Sequence, residues 1–536
     1  MILSGMNTME AVPQVLSWTA RGVIKTMLDD STRGSIEALG IPVDPDLEFI
    51  HIHDGRAYAI AESMATTMLR IPGFKWEGAG VDPKVVWSYL PKEITKPLSI
   101  RDRIQGVILA VGIANRMSKV LEALSVRSLS KNIDLTREWD KRVSEATLAQ
   151  ELAEMSEPLT ECLIHLGTVH ILSALLFIPS WTFLEQACRR AGVPPSLVVA
   201  NSGGIISSRM TSMLYQLAAE AAKLEIDLDA DDAWDKLDAD PTIQQLLQAF
   251  METCGHRGFN ELELSTPKFR EDPGAILSAM RAQATTNPRD MAEHASQTGW
   301  AQVPKFWRKL VEQRVEDAQR KSAIRELTKD VLLRITDVIR QWCLKAAATM
   351  PDPQEVWLMS MDEITLWLRD GTAVDHETLE KRKADLETWR ALPPVETVYI
   401  DDVTGHAQAL GVSKEQIQAK EINGMVASRG VHGKVKGRAI VTLDHRVAVE
   451  KIRELREAGE PTPLLITRVT NVAWTVTFGA ITGIITEVGG MASHAAIVAR
   501  EYGIPALVGV PGVVASIPDG AKVELDCELG VVRWQD

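Results

Sequence analysis

Apolar residues recur at helical spacing through most of the first 395 positions, clearly so over residues 104–124, 140–152, 210–224, 243–252 and 318–346. The spacing predicts long amphipathic helices and a mainly α-helical body. One stretch breaks the pattern. At residues 49–60, FIHIH and RAYAI alternate on either side of Asp54-Gly55, a two-residue hairpin signal. That alternation puts His51 and His53 on one strand face, which permits a metal site but supplies no carboxylate or cysteine partner. From residue 425 the pattern changes to short β-branched strands with two helices, at 444–458 and 493–502, and predicts a compact α/β (β/β/α) domain over 425–536. Between the two, Pro393, Pro394 and the polar run to Gly424 read as a linker at 396–424, with a short helix possible at 414–420. The chain is thus expected to be multidomain, with no internal repeat or low-complexity tract.

Composition narrows the setting. The 536 residues, 45% hydrophobic and 24% charged, suffice for two or three cores. Cys162, Cys188, Cys254, Cys343 and Cys527 lie far apart, so free thiols in a reducing compartment are expected rather than a disulfide framework or a zinc site. A formal charge of -14 argues against general affinity for nucleic acid or an anionic membrane. The opening segment holds Glu10, Pro13 and Arg21 and lacks the apolar core of a signal peptide, so a cytoplasmic location is expected. Residues 162–181 approach membrane-spanning length, but His165, Thr168, His170 and Pro179 favour a buried helix. His165 and His170 are five apart and do not share a helical face well.

The densest chemistry lies at residues 486–509, TEVGGMASHAAIVAREYGIPALVG. An apolar strand ends at Gly489 and Gly490, Ser493 is placed to cap a helix, and His494 falls in that helix's first turn. First-turn N–H groups lack partners one turn earlier, and the helix dipole is positive there. A phosphoryl group on the imidazole would therefore be stabilised, while the ring is kept neutral and nucleophilic. Glycine at 489 and 490 leaves room for a triphosphate or an acceptor. Taken alone, a histidine after serine at such a turn equally fits a simple helix cap.

As a whole, the segment resembles the phosphohistidine signature of the phosphoenolpyruvate-utilising enzymes, whose swivelling domain reads GG, two variable residues, SHAAIVARE, then GIPAVVG. The resemblance implies that His494 is phosphorylated, with Gly489, Gly490 and Ser493 forming the phosphoryl-binding turn. Residues 427–441 resemble the opening strands of that domain, and residues 511–532 its closing hairpin.

A second cluster, GHRGFNELELSTPKFREDP at residues 255–273, gathers His256, Arg257, Glu261, Glu263, Lys268 and Arg270. Arg257 has the planar donors of a phosphoryl clamp, and His256 or Glu261 can take a proton from a hydroxyl. An ordinary charged loop with internal salt bridges explains the same residues. The segment resembles the central domain of rifampicin phosphotransferases and related synthase-like proteins. So, more loosely, do residues 7–18, 55–61 and 353–364. Residues 7–18 depart from the usual run of prolines and threonines. By this resemblance the helical body binds the acceptor, Arg257 clamps the phosphoryl group, His256 is the base, and Glu261, Lys268 and Arg270 line the substrate site.

No glycine-rich nucleotide loop or ATP-grasp-like region precedes the helical body, and no barrel follows the last domain before Asp536. The resemblance therefore implies a split system like phenylphosphate synthase. A partner ATP-grasp subunit would bind ATP and Mg2+, charge His494 and release AMP and phosphate, and the carrier would deliver phosphate to a small hydroxylated, phenolic or otherwise apolar acceptor. The competing expectations are a phosphocarrier or regulatory protein with no small acceptor, and a noncatalytic scaffold. The intact Gly489, Gly490, Ser493 and His494 argue against the scaffold.

Overall fold

A computed structural model of the chain describes residues 1–4, 14–68, 113, 116–117, 119–200, 206–228, 230–258, 260–282, 288–392, 395, 397–400, 407–409, 420–470, 472–490 and 493–535. The helix expected at 414–420, most of the one expected at 104–124, and most of the 7–18 segment lie outside these residues. The chain divides into two compact units. The first comprises Met1–Leu175, Asn260–Thr266 and Leu327–Leu410, and the second Leu176–Phe259, Pro267–Glu326 and Gly411–Asp536.

In the first unit the expected hairpin forms from β2 (Ile50–His53) and β3 (Arg56–Ile60), turning at Asp54 and Gly55 with φ of 46° and 69°. It belongs to a larger antiparallel sheet. β1 (Ile2–Ser4) pairs with β3 and with β4 (Thr397–Ile400), which pairs with β5 (Ala407–Ala409), giving the order β2-β3-β1-β4-β5. The stretch read as a linker thus carries two strands of this sheet, and a third, β6 (Glu421–Asn423), in the second unit's sheet. Each is only three or four residues long and is specified by its partner rather than by its own composition.

Helix α1 (Trp18–Ala38) starts at Ser17, whose hydroxyl caps Ala20 N–H at 3.3 Å. The long α2 (Ala149–Ala191) serves both units. A single helix over 140–152 is not what forms. A helix at Val126–Glu145 ends in the extended Ala146, and Glu151 Oε2 accepts from Thr147 and Leu148 N–H at 3.0 and 3.1 Å to start α2. By length and composition α2 could cross a membrane. Leu159, Leu163, Leu166, Phe177 and Leu184 along it are buried within the protein.

The second unit combines helices α3 (Pro195–Val199), α4 (Ile206–Lys223), α5 (Pro241–Cys254), α6 (Pro288–Gln302) and the first part of α7 (Arg308–Ala347) with an eight-stranded sheet. Four central strands are parallel: β8 (Lys434–Val441), β9 (Leu464–Thr467), β10 (Gly483–Thr486) and β11 (Ala506–Val508). β7 (Met425–Ser428) flanks them antiparallel on one side, and β12 (Lys522–Asp526), β13 (Val531–Gln535) and β6 on the other. Helix α8 (His445–Glu457) joins β8 to β9, a 3-10 helix (Val472–Ala480) joins β9 to β10, and α9 (His494–Tyr502) joins β10 to β11. Side chains alternate between faces. Leu465, Ile484 and Ala506 pack with α9, Trp474 and Phe478, whereas Ile466, Ile485 and Leu507 pack with Val513, Val523 and Val532.

His445, at the start of α8, is largely buried edge-on to Trp474, and burial pulls its pKa down to about 4. The folded form therefore prefers the neutral ring, and the unfolded chain takes up the proton first. Stability is complete above the unfolded value of about 6.5 and falls as pH drops from there towards 4. We expect this residue to cost up to about 3 kcal/mol at pH 4. A His445→Gln variant should flatten the fall in thermal unfolding midpoint between pH 6.5 and 4.

Candidate functional site

In a parallel α/β sheet, ligands bind outside the carboxyl ends of the strands, where loops and helix N-termini meet. Here that edge carries the segment singled out by sequence. β10 ends at Thr486, the chain turns through Gly489 and Gly490, and α9 begins at His494. Ser493 caps the helix with its hydroxyl 3.1 Å from Ala496 N–H, and its own N–H donates to Gly490 O at 3.0 Å. Gly489 has a φ of 137°, and a Cβ there would sit 3.3 Å from Ser493 Cβ and 3.5 Å from Thr486 Oγ1. His494 is buried, with Phe478 edge-on at 6.4 Å between ring centroids.

The same edge holds polar groups that sequence reasoning missed. β9 and β10 end in matching triplets, Ile466-Thr467-Arg468 and Ile485-Thr486-Glu487, and Thr467 lies in register beside Thr486. Both threonines continue the alternation of Leu465 and Ile484 and so face the α9 side. Among the described residues, the hydroxyls of Thr467, Thr470 and Thr486 have no hydrogen-bond partner. Arg468 Nε and Glu487 Oε2 stand 4.0 Å apart, and burial raises the Glu487 pKa while the arginine opposes the rise. A signal was present in the repeated Ile-Thr-charged pattern, but only the strand register brings the two threonines side by side.

The far end of α9 is anchored to the helices of the same unit. Gly503, with φ of 66°, ends the helix where a Cβ would lie 2.3 Å from Ala295 Cβ of α6, so both the turn and the packing require glycine. Arg500 is buried, donates from Nε to Ala427 O at 2.8 Å, and lies 4.0 Å above the Trp181 ring. Burial pushes this guanidinium down to about 9, Glu185 partly offsetting the effect. Nearby, a cleft of about 450 Å³ is lined by Trp181, Glu185, Arg189, Ser196 and Arg429.

The second sequence cluster falls on both units. His256, Arg257 and Lys268 belong to the second unit, where all three are buried, and each has an interaction within the protein. The loop is closed by Phe269 N–H donating to Arg257 O at 2.7 Å and Arg270 N–H to Gly255 O at 3.0 Å. Arg270 is exposed. In the first unit Glu261 is buried and pairs with Lys329 at 3.2 Å. Glu263 accepts from Ser17 N–H and Ser265 N–H, both at 2.8 Å, and so holds the start of α1. Among the described residues, no group of three or more His, Cys, Asp or Glu side chains gathers as a metal site, and the five cysteines are buried and form no disulfide.

Residues 459–530 match the family model described as PEP-utilising enzyme, mobile domain, and residues 172–343 match the rifampicin phosphotransferase fourth domain. Over these two stretches the chain is similar to the mobile domain of the phosphoenolpyruvate-utilising enzymes and to a domain of the rifampicin phosphotransferases. Among curated proteins it is similar to the rifampicin phosphotransferase of Streptomyces sp, 27% identical over 308 residues, covering 53% of this chain and 34% of that protein. That of Bacillus subtilis (strain 168) is 24% identical over 322 residues, 56% of this chain and 35% of the relative. A similar match, 27% over 323 residues, is to the chondramide synthase cmdD of Chondromyces crocatus, covering 53% of this chain and 8% of that protein. The chain spans about a third of the length of the rifampicin phosphotransferases it matches.

Proposed function

We propose that the chain is the phosphohistidine-carrying part of a phosphotransferase: His494 receives a phosphoryl group and passes it to the hydroxyl of a small acceptor. The observation that carries this reading is His494 in the first turn of α9, capped by Ser493, at the carboxyl edge of a parallel sheet whose domain matches the mobile domain. The helix terminus supplies N–H donors and a positive dipole end, and Gly489 keeps side-chain bulk away from the turn.

Under this proposal ATP and Mg2+ are handled by an ATP-grasp polypeptide acting in trans, as in the phenylphosphate synthase arrangement. Among the described residues no carboxylate set suited to Mg2+ is gathered, and no step assigned to this chain passes through a metal. The acceptor is a hydroxylated, phenolic or apolar molecule held by the helical part. The Trp181 cleft, with Arg189 and Arg429, is of suitable size for one. Arg257 and Lys268 are assigned to the acceptor side. Their burial means that the loop at 255–273 must open before either can meet a phosphoryl group.

The test is intact-mass analysis of the purified chain with and without an ATP-grasp partner, ATP and Mg2+, followed by a chase with phenols. An acid-labile gain of one phosphoryl group that needs the partner and is discharged by a phenol supports the proposal. Absence of any gain overturns it, and a gain that only another protein discharges favours the phosphocarrier reading.

A further inference from the structure

Buried hydroxyls are nearly always hydrogen-bonded, and one left unpartnered carries a desolvation cost that needs an explanation. Thr467, Thr470 and Thr486 are each 1% exposed or less, and none of the three hydroxyls has a partner among the described residues. Their placement is not scattered. Thr467 and Thr486 are register neighbours at the carboxyl ends of β9 and β10, on the face covered by α9. Thr470 lies in the loop between β9 and the 3-10 helix that puts Phe478 beside His494. Thr486 Oγ1 and Ser493 Cβ flank the same point at Gly489, which brings this hydroxyl to the start of α9. Arg468 and Glu487 follow one residue later on their strands. There Glu487 accepts from the Val514 backbone, so this pair belongs to the opposite face of the sheet.

We infer that Thr467, Thr470 and Thr486 form the cradle for the phosphoryl group on His494, their hydroxyls donating to its non-bridging oxygens. The inference rests on the phosphohistidine reading above. In the transfer, the lone pair of one imidazole nitrogen forms the N–P bond as the donor's bond to phosphorus breaks. The electron pair departs with the leaving group, and the second ring nitrogen releases its proton to solvent. Three phosphoryl oxygens then carry the negative charge beside α9. The helix N–H groups meet them from one side, and the three hydroxyls supply donors from the sheet side. The hydroxyls are idle in the uncharged chain because their partner arrives with the phosphoryl group.

The cradle predicts opposite effects on stability and chemistry. Thr467→Val and Thr486→Val keep the shape and remove an unpartnered hydroxyl, so each should raise the thermal unfolding midpoint by about 2 °C or leave it unchanged. Each should also slow labelling of His494 by phosphoramidate, whose P–N bond breaks with loss of ammonia, and shorten the lifetime of the label, by roughly tenfold. The Thr→Ser variants should keep both properties near wild type. Wild-type labelling with Val variants that label and persist equally would overturn the cradle while leaving phospho-His494 standing. Loss of label accompanied by a lowered midpoint would mark the threonines as structural and also overturn it. Wild type that takes no label at His494 removes the phosphohistidine reading and the cradle together.

Discussion

A chain with His494 replaced by glutamine will take up no acid-labile phosphate, from an ATP-grasp partner with ATP or from phosphoramidate, while its unfolding midpoint stays within about 2 °C of wild type. Glutamine keeps a polar group of similar reach but has no nucleophilic ring nitrogen, so the covalent step is lost outright rather than slowed. Stability should change little. The Ser493 cap, the Gly489 backbone and the apolar face of α9 hold the turn and remain when the imidazole, which lies edge-on to Phe478, is replaced. Mass analysis of the intact chain reads the result directly. Residual label at wild-type level in the variant would place the phosphoryl group elsewhere, and the assignment of His494 would fall.

The second large effect is expected at Arg500. An Arg500→Ala substitution removes a guanidinium stacked on Trp181, leaves the buried Ala427 carbonyl without its donor, and opens a cavity between α9 and α2. Together these should cost roughly 3 kcal/mol. The lowered pKa, about 9, still leaves the group charged at neutral pH, so the cation–aromatic contact operates under ordinary conditions. Arg500→Lys should recover only part of the loss, because an ammonium cannot stack as a planar fork does. Denaturant unfolding of Arg500→Ala, Trp181→Ala and the double variant would measure the coupling, expected at about 1–2 kcal/mol. A double variant equal to the sum of the single ones would show that the ring contributes only packing.

The local features with strong chemical signatures were legible in the sequence. Asp54-Gly55 announced the hairpin, and Ser493 announced the start of α9. The run 243–252 formed the helix its spacing required, opened by Asp240, whose carboxylate accepts from Thr242 and Ile243 N–H. What escaped depended on distant pairing. β1, β4 and β5 are too short to declare themselves, and β4 and β5 sit in polar sequence that reads as a connector until their partners are known. The threonine site escaped for the same reason. Thr467 and Thr486 are unremarked strand ends in the sequence and become a pair only through the register of β9 and β10. Conversely, the charges at 255–273 read either as a phosphoryl-transfer site or as an ordinary charged loop with internal salt bridges. Arg257 and Lys268 are instead almost fully buried, because charged side chains with partners inside the protein can be enclosed where composition alone would leave them outside.

The central position of β1 in its sheet has a consequence for biosynthesis. Its outer edge is completed only by β4, and the Met1 amino group that donates to Ile400 O precedes its acceptor by 399 residues. At a translation rate of about 5–20 residues per second, this edge waits roughly 20–80 s for its neighbour to be made. During that time β1 can pair with β3 but presents a bare strand on its other side. A nascent chain stalled before residue 397 therefore holds β1 with one edge unpaired, and the sheet order is completed only once β4 has been made.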